Sequence, residues 1–176
     1  MPIETLKSST RLSSALELHP DVLEYIVSLA PHDFERLRNP VMRRLMPPRI
    51  SLARVAAIAG IPVNAMLEAI GVLTGVSAEL EDAQPMPQSP AQRPAWLEGL
   101  GAVKTVDLLP LDELLEADPL PPVMTEVKKL QAGEVLLIRH KWEPQPFYDL
   151  WAKIPGLEWF TEQVSDDEWR IWVRRG

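Results

Sequence analysis

The sequence predicts an α+β protein in two parts: a small all-helical N-terminal bundle over residues 1–77 and a C-terminal two-layer β-α-β-α-β-β sandwich over residues 103–176. Three observations carry this. Before residue 75, apolar residues recur at helical spacing between start and stop signals. After residue 103, β-rich runs alternate with amphipathic segments. Between the two, Gln84-Pro85-Met86-Pro87-Gln88-Ser89-Pro90-Ala91-Gln92-Arg93-Pro94 has no periodicity and little to bury, so residues 78–102 read as a Pro/Gln-rich linker.

In the N-terminal part, Ser13 or Ser14 is placed to cap a short helix ending near His19. Pro20 suits the first turn of the next, which runs to Ala30 with Val22, Ile26 and Leu29 on one face. Asn39-Pro40 marks a turn. Ser51 caps Leu52 to Ala59, Gly60 stops that helix, and Pro62 or Asn64 opens another through Met66, Leu67 and Ile70. In the C-terminal part, Thr105 to Leu109 is a strand candidate, and Asp118 caps a helix continuing through Met124, Val127 and Leu130. Gly133 ends that helix, and Glu134 to Arg139 is β-rich. Phe147, Leu150, Trp151 and Ile154 then form one helical stripe after Pro144. Two strands, Leu157 to Val164 and Glu168 to Arg174, are joined by the turn Ser165-Asp166-Asp167.

Composition excludes whole classes of chemistry. The chain has no cysteine, so disulfides, iron–sulfur ligation, thiol catalysis and cysteine-type zinc sites are out. Its three histidines, His19, His32 and His140, show no ligand spacing. No run approaches the roughly 18 apolar residues of a membrane span, and the first residues lack a secretory pattern, so a cytoplasmic location is the expectation. The net charge of −7 is concentrated in residues 81–127, whereas both flanking parts balance.

The local runs also carry resemblances. Leu18-His19-Pro20-Asp21-Val22-Leu23, Phe34-Glu35-Arg36-Leu37-Arg38-Asn39-Pro40 and Ser51 to Gly60 together resemble the small helical domain of unknown function found beside hybrid-cluster proteins. Many members of that family carry a Cys-x-x-Cys pair and are described as redox-disulfide domains; here the stretch reads Asn39-Pro40-Val41-Met42. Over residues 103–175, Asp118-Pro119-Leu120-Pro121-Pro122, Gly133-Glu134, Glu143-Pro144-Gln145-Pro146-Phe147 and Trp169 to Arg175 resemble an uncharacterised branch of the TusA/SirA-like fold. The resemblance implies a sulfur-carrier architecture in which a Cys-Pro-x-Pro thiol sits at the first helix's N-terminus, where the dipole lowers its pKa. In this chain Asp118 and prolines occupy that turn, and a carboxylate cannot carry sulfane sulfur.

Candidate sites follow. His140, Trp142 and Glu143 gather in a strand-to-helix loop, with Asp118 as a further ligand-binding candidate. Arg36, Arg38, Arg43 and Arg44, followed by Arg49 and Arg54 with no acid among them, are a candidate anion or partner face. The segment Ser51 to Ile70 also has the cadence of a DNA-binding helix-turn-helix, but Asn64 to Ile70 presents no cation to phosphate, so nucleic acid is disfavoured. On the last strand, Trp169, Ile171 and Val173 point one way and Trp172 the other, leaving Trp172 as a partner surface unless the N-terminal part or the linker covers it. The expected function is a non-catalytic accessory or regulatory interaction module with a protein partner or self-association. The alternative is a ligand-binding protein for haem, a metal or an anion, using His140 and Glu143 or the arginines. No cofactor is identified by sequence.

Overall fold

The computed structural model describes residues 3–82, 84–101, 103–114 and 118–176, so Ala83 and Ala102 of the expected linker lie outside the described residues. The chain is α+β and divides into two compact units, Met1–Met86 and Pro87–Gly176.

The N-terminal unit contains α1 (Leu12–Leu16), α2 (Pro20–Leu29), α3 (Pro31–Phe34), α4 (Pro40–Leu45), α5 (Leu52–Ala59) and α6 (Val63–Thr74), with 3-10 turns at Glu35–Arg38 and Pro47–Arg49. Local chemistry sets most boundaries. Ser51 Oγ accepts the Arg54 amide at 3.1 Å, and Gly60 ends α5 in the left-handed region at φ 72°. Asn39 does more than turn the chain: its Oδ1 accepts the Val41 amide at 2.9 Å and caps α4. The start of α1 differs from expectation. It begins at Leu12 without a serine cap, because Leu12 donates to the Ile50 carbonyl and Leu52 to the Thr10 carbonyl, a tertiary bridge that orients the first turn. A two-residue parallel ladder between β1 (Thr5–Leu6) and β2 (Ser77–Ala78) ties the end of this unit to its beginning, so residues 77 and 78 belong to it.

α5 and α6 meet at 112°, a corner closed by Gly60. Their apolar residues Leu52, Val55, Met66, Leu67 and Ile70 are buried in one core with Phe34 and Leu37. Among the described residues no single helix is long and apolar enough to cross a membrane.

The C-terminal unit is built on a four-stranded mixed sheet of order β3 (Lys104–Asp107), β4 (Val135–His140), β6 (Glu168–Arg175), β5 (Leu157–Ser165). β3 is parallel to β4, whereas β6 is antiparallel to both of its neighbours. β3 stops two residues short of the expected end. Asp107 Oδ1 accepts the Leu109 amide at 3.0 Å and starts an unforeseen helix, α7 (Leu109–Leu114), whose leucines resemble a strand tail in sequence. α8 (Leu120–Lys129) and α9 (Gln145–Trp151) follow β3 and β4.

Alternation along the strands divides the apolar residues between two faces. Leu136, Ile138, Leu157, Ile171 and Val173 form one core with Val123 and Val127 of α8 and with Phe147, Tyr148 and Trp151 of α9. Val135, Leu137, Phe160 and Trp172 face the other way, and there Trp96, Leu97 and Val103 pack on them. The expected linker is thus divided: residues from Pro87 onward belong to the C-terminal unit and cover its sheet.

At the edge strand, Lys104 of β3 bonds Glu126 of α8, and Lys129 approaches the same carboxylate at 3.6 Å. The hydrogen bond from Lys104 holds the Glu126 carboxyl below the usual carboxylate range, against the opposing effect of burial. Because the folded state lowers this pKa, the contact stabilises the fold above the ordinary carboxylate range and is lost as pH falls through it. Glu126→Gln is expected to remove part of the acid-side loss of stability, seen as a flatter dependence of the urea midpoint between about pH 5 and pH 3. A second test addresses the unit boundary. Limited proteolysis is expected to cut around residues 80–86 and to spare residues 88–97; early cutting within 88–97 would show that this segment is not held on the sheet.

Candidate functional site

The two parallel strands end side by side, and the segments that leave their carboxyl ends meet there, which is where ligands bind in open sheets with parallel strands. β3 runs into α7, which carries Asp112; β4 ends at His140 and continues through Trp142 and Glu143 into α9. Asp112 Oδ2 lies 2.8 Å from His140 Nδ1 and also accepts the Lys141 amide at 2.9 Å, and both side chains are 4% exposed. A carboxylate oxygen that receives a backbone N–H acts as an acceptor, so Nδ1 carries the proton of this contact. The pair ties α7 to the end of β4. Trp142 meets the His140 ring edge-on at 5.5 Å and is itself buried.

Glu143 belongs to a second polar run. Its carboxylate accepts from Gln145 Nε2 at 3.1 Å and from the Tyr148 hydroxyl at 3.3 Å, and that hydroxyl lies 3.0 Å from Thr161 Oγ1 on β5. Tyr148 is fully buried and stacks on Trp159 at 5.7 Å. His140 and Trp142 are in ring contact, whereas the contacts of Glu143 run to Gln145 and Tyr148; Asp112, Gln145, Tyr148 and Thr161 were not foreseen. Asp112 lies 28 residues before His140 on a helix that was not expected; no local signal identifies it. Gln145 and Tyr148 follow Glu143 within one and a half helical turns, a spacing that was legible.

Asp118 Oδ1 accepts the Leu120 amide at 3.1 Å, at the start of α8. Among the described residues no three His, Asp or Glu side chains come together to hold a metal ion.

The arginine run is divided among separate roles. Arg36 is buried and its Nε donates to the Asp33 carbonyl at 3.1 Å. Arg38 makes a two-pronged pair with Glu24 at 2.7 and 2.9 Å, and this hydrogen bonding lowers the Glu24 pKa. Arg43 donates to the Leu37 and Arg38 carbonyls. Arg44 is exposed and, with Arg43, lines a shallow groove of about 700 Å³ floored by Leu16, Pro40 and Pro47. Arg54 is completely buried. Of the run, Arg36 and Arg54 are buried and Arg38, Arg43 and Arg44 are exposed.

Trp172 is 8% exposed, under Phe160, Leu97 and the Arg93 guanidinium, whose carbon lies 5.1 Å from the ring centroid. Of the covers that the sequence allows, the segment read as a linker supplies this one, and an open Trp172 partner surface is not what the structure presents.

The C-terminal unit is thus a mixed-sheet α/β unit with buried carboxylate–imidazole and carboxylate–tyrosine contacts at the ends of its parallel strands. Residues 109–175 match a family model described as an uncharacterized conserved protein (DUF2249). No curated protein and no solved structure matches the chain.

His140→Ala removes one donor from a buried carboxylate and is expected to cost about 3–5 kcal/mol, and Asp112→Asn about 1–3 kcal/mol. In urea denaturation the double variant should lose much less than the sum. Additive losses, or losses below about 0.5 kcal/mol, would show that the pair is not a brace.

Proposed function

We propose that the protein is a non-catalytic accessory or regulatory interaction module, working through its C-terminal unit and related to sulfur-carrier domains of the TusA/SirA-like fold. The observation that carries this reading is the second face of the sheet. Phe160 and Trp172 stack at 6.1 Å and, with Val135 and Leu137, form an aromatic and aliphatic surface roofed by a segment with little secondary structure of its own. Such a surface is far more apolar than a solvent face needs to be.

Two further points support it. By the resemblance, Asp118 takes the position of the carriers' thiol; its oxygen accepts the Leu120 amide, and with no cysteine in the sequence the persulfide route has no atom to use. The N-terminal unit resembles redox-disulfide domains yet also lacks their dithiol. Loss of cysteine from both halves fits a shared role that does not involve electron or sulfur transfer.

A face-specific cross-link tests the proposal. A photoreactive residue at Glu158, exposed on β5, should give a discrete adduct with one protein or with a second copy in the native cell, and the same residue at Lys128, exposed on α8, should not. Equal labelling from both positions would remove the case for a docking face.

The second reading is ligand binding, and the Asp112–His140 pair favours it, because a carboxylate that fixes an imidazole also sets its tautomer for a ligand. It expects haem, a divalent metal or an inorganic anion to bind the purified protein in calorimetric or absorbance titration, and His140→Ala to abolish that binding. Unchanged binding by the variant would exclude His140 as the site.

A further inference from the structure

Residues 87–97 add no strand to the sheet they cover; what holds them is a set of side-chain contacts spaced like those of a bound peptide. Ser89 Oγ accepts the outward-facing Thr161 amide of the edge strand β5 at 2.8 Å. Four residues on, the Arg93 guanidinium lies over the Trp172 and Phe160 rings, at 5.1 and 6.0 Å, and reaches both Glu162 carboxylate oxygens at 3.4 Å. Pro94 is in the polyproline II region, at φ −69° and ψ 150°. Leu97 then buries itself beside Val135, and the Trp96 ring faces Arg174 at 5.7 Å.

A proline-punctuated segment with Pro94 in the polyproline II region and a single 3-10 turn at Ala95–Leu97, which places an arginine over aromatic rings and against a carboxylate, shares these contacts with the polyproline II ligands of aromatic-lined grooves. The contacts are mostly at or near the surface: the Arg93 and Glu162 side chains are 49% and 41% exposed. Beyond the segment, Glu98-Gly99-Leu100-Gly101 is exposed, with Gly99 at φ 68°, a conformation that favours glycine.

We infer that the Phe160–Trp172–Glu162 face is a docking groove for an extended partner segment of the type Ser-Pro-x-x-Arg-Pro-x-Trp-Leu, and that residues 87–97 are its built-in competitor. The inference rests on the interaction-module reading and specifies its partner: a protein segment rich in proline with one arginine and a following tryptophan and leucine. Charge selects the sign of that ligand. Glu162 lies beside the rings, so an acidic segment is repelled where the arginine is accepted. The covalent attachment keeps residues 87–97 at millimolar effective concentration, so a partner must match their contacts or present several copies to displace them.

The test uses the full-length chain and a labelled synthetic peptide of the sequence 87–98. The double variant Arg93→Ala/Leu97→Ala, which weakens the internal competitor, should bind the peptide at least about tenfold more tightly than the parent in fluorescence anisotropy. Adding Trp172→Ala should abolish that binding, and a scrambled peptide should not bind. Absence of binding by the folded double variant, or equal affinity in the parent, overturns the inference. Should the double variant fail to fold, hydrogen exchange on the parent decides: the Thr161 amide should exchange faster than the amides of the β4–β6 ladder, and equal protection overturns it. Failure of the peptide with the Glu158 cross-link intact rejects this partner chemistry and leaves the interaction module standing.

Discussion

The C-terminal unit depends on a sheet that is apolar on both faces. β4 and β6 alternate so that Leu136, Ile138, Ile171 and Val173 lie on one side and Val135, Leu137 and Trp172 on the other. A strand pair of this kind needs two covers, because an aromatic side chain left in water forgoes a large part of its burial energy. α8 and α9 supply one cover with Val123, Val127, Phe147 and Trp151. On the other face, Trp96 and Leu97 of a 3-10 turn (Ala95–Leu97) and Val103, all in the segment that begins at Pro87, take the covering position. Proline suits such a cover, since it has no amide to leave unsatisfied against an apolar surface and is already extended.

The polar chemistry of the same unit is subordinate to this layering. Asp112 and His140 are brought together because α7 turns back over the end of β4, and the Lys141 amide completes the carboxylate's surroundings. Tyr148 reaches Thr161 and Glu143 from within the aromatic stack on Trp159, so the network links α9, β5 and the loop after β4. Buried polar groups must find partners to avoid a large desolvation cost, and satisfied networks of this kind fix one arrangement of elements. The match of residues 109–175 to an uncharacterized conserved family spans these residues together with Asp118.

In the N-terminal unit, arginines serve where the backbone turns sharply. Arg36 and Arg43 satisfy carbonyls around the 3-10 turn that precedes α4, and Arg38 pairs with Glu24 on α2. A stretch with six arginines and no acid thus includes arginines that satisfy local carbonyls and one that pairs with Glu24.

Much of the secondary structure was determined by the sequence itself. Pro20, Ser51 and Gly60 act through their own side chains or backbone freedom on the nearest few residues, and the strands β4, β5 and β6 follow from β-forming runs; Gly133 does not end α8, which stops at Lys129, but turns the chain into β4. His140, Trp142 and Glu143 could be named because they lie within four residues of one another, whereas their partners Asp112 and Tyr148 come from other elements. Tertiary structure alone decided the rest. The start of α1 depends on Ile50 and Thr10, and Asp112 depends on a helix that begins only because Asp107 turns the chain. The cover of Trp172 depends on a segment whose composition indicates only that it cannot form a core of its own. Whether such a segment stays in solvent or lies on a surface is set by what apolar area remains uncovered elsewhere. That quantity belongs to the assembled sheet, not to the residues that cover it.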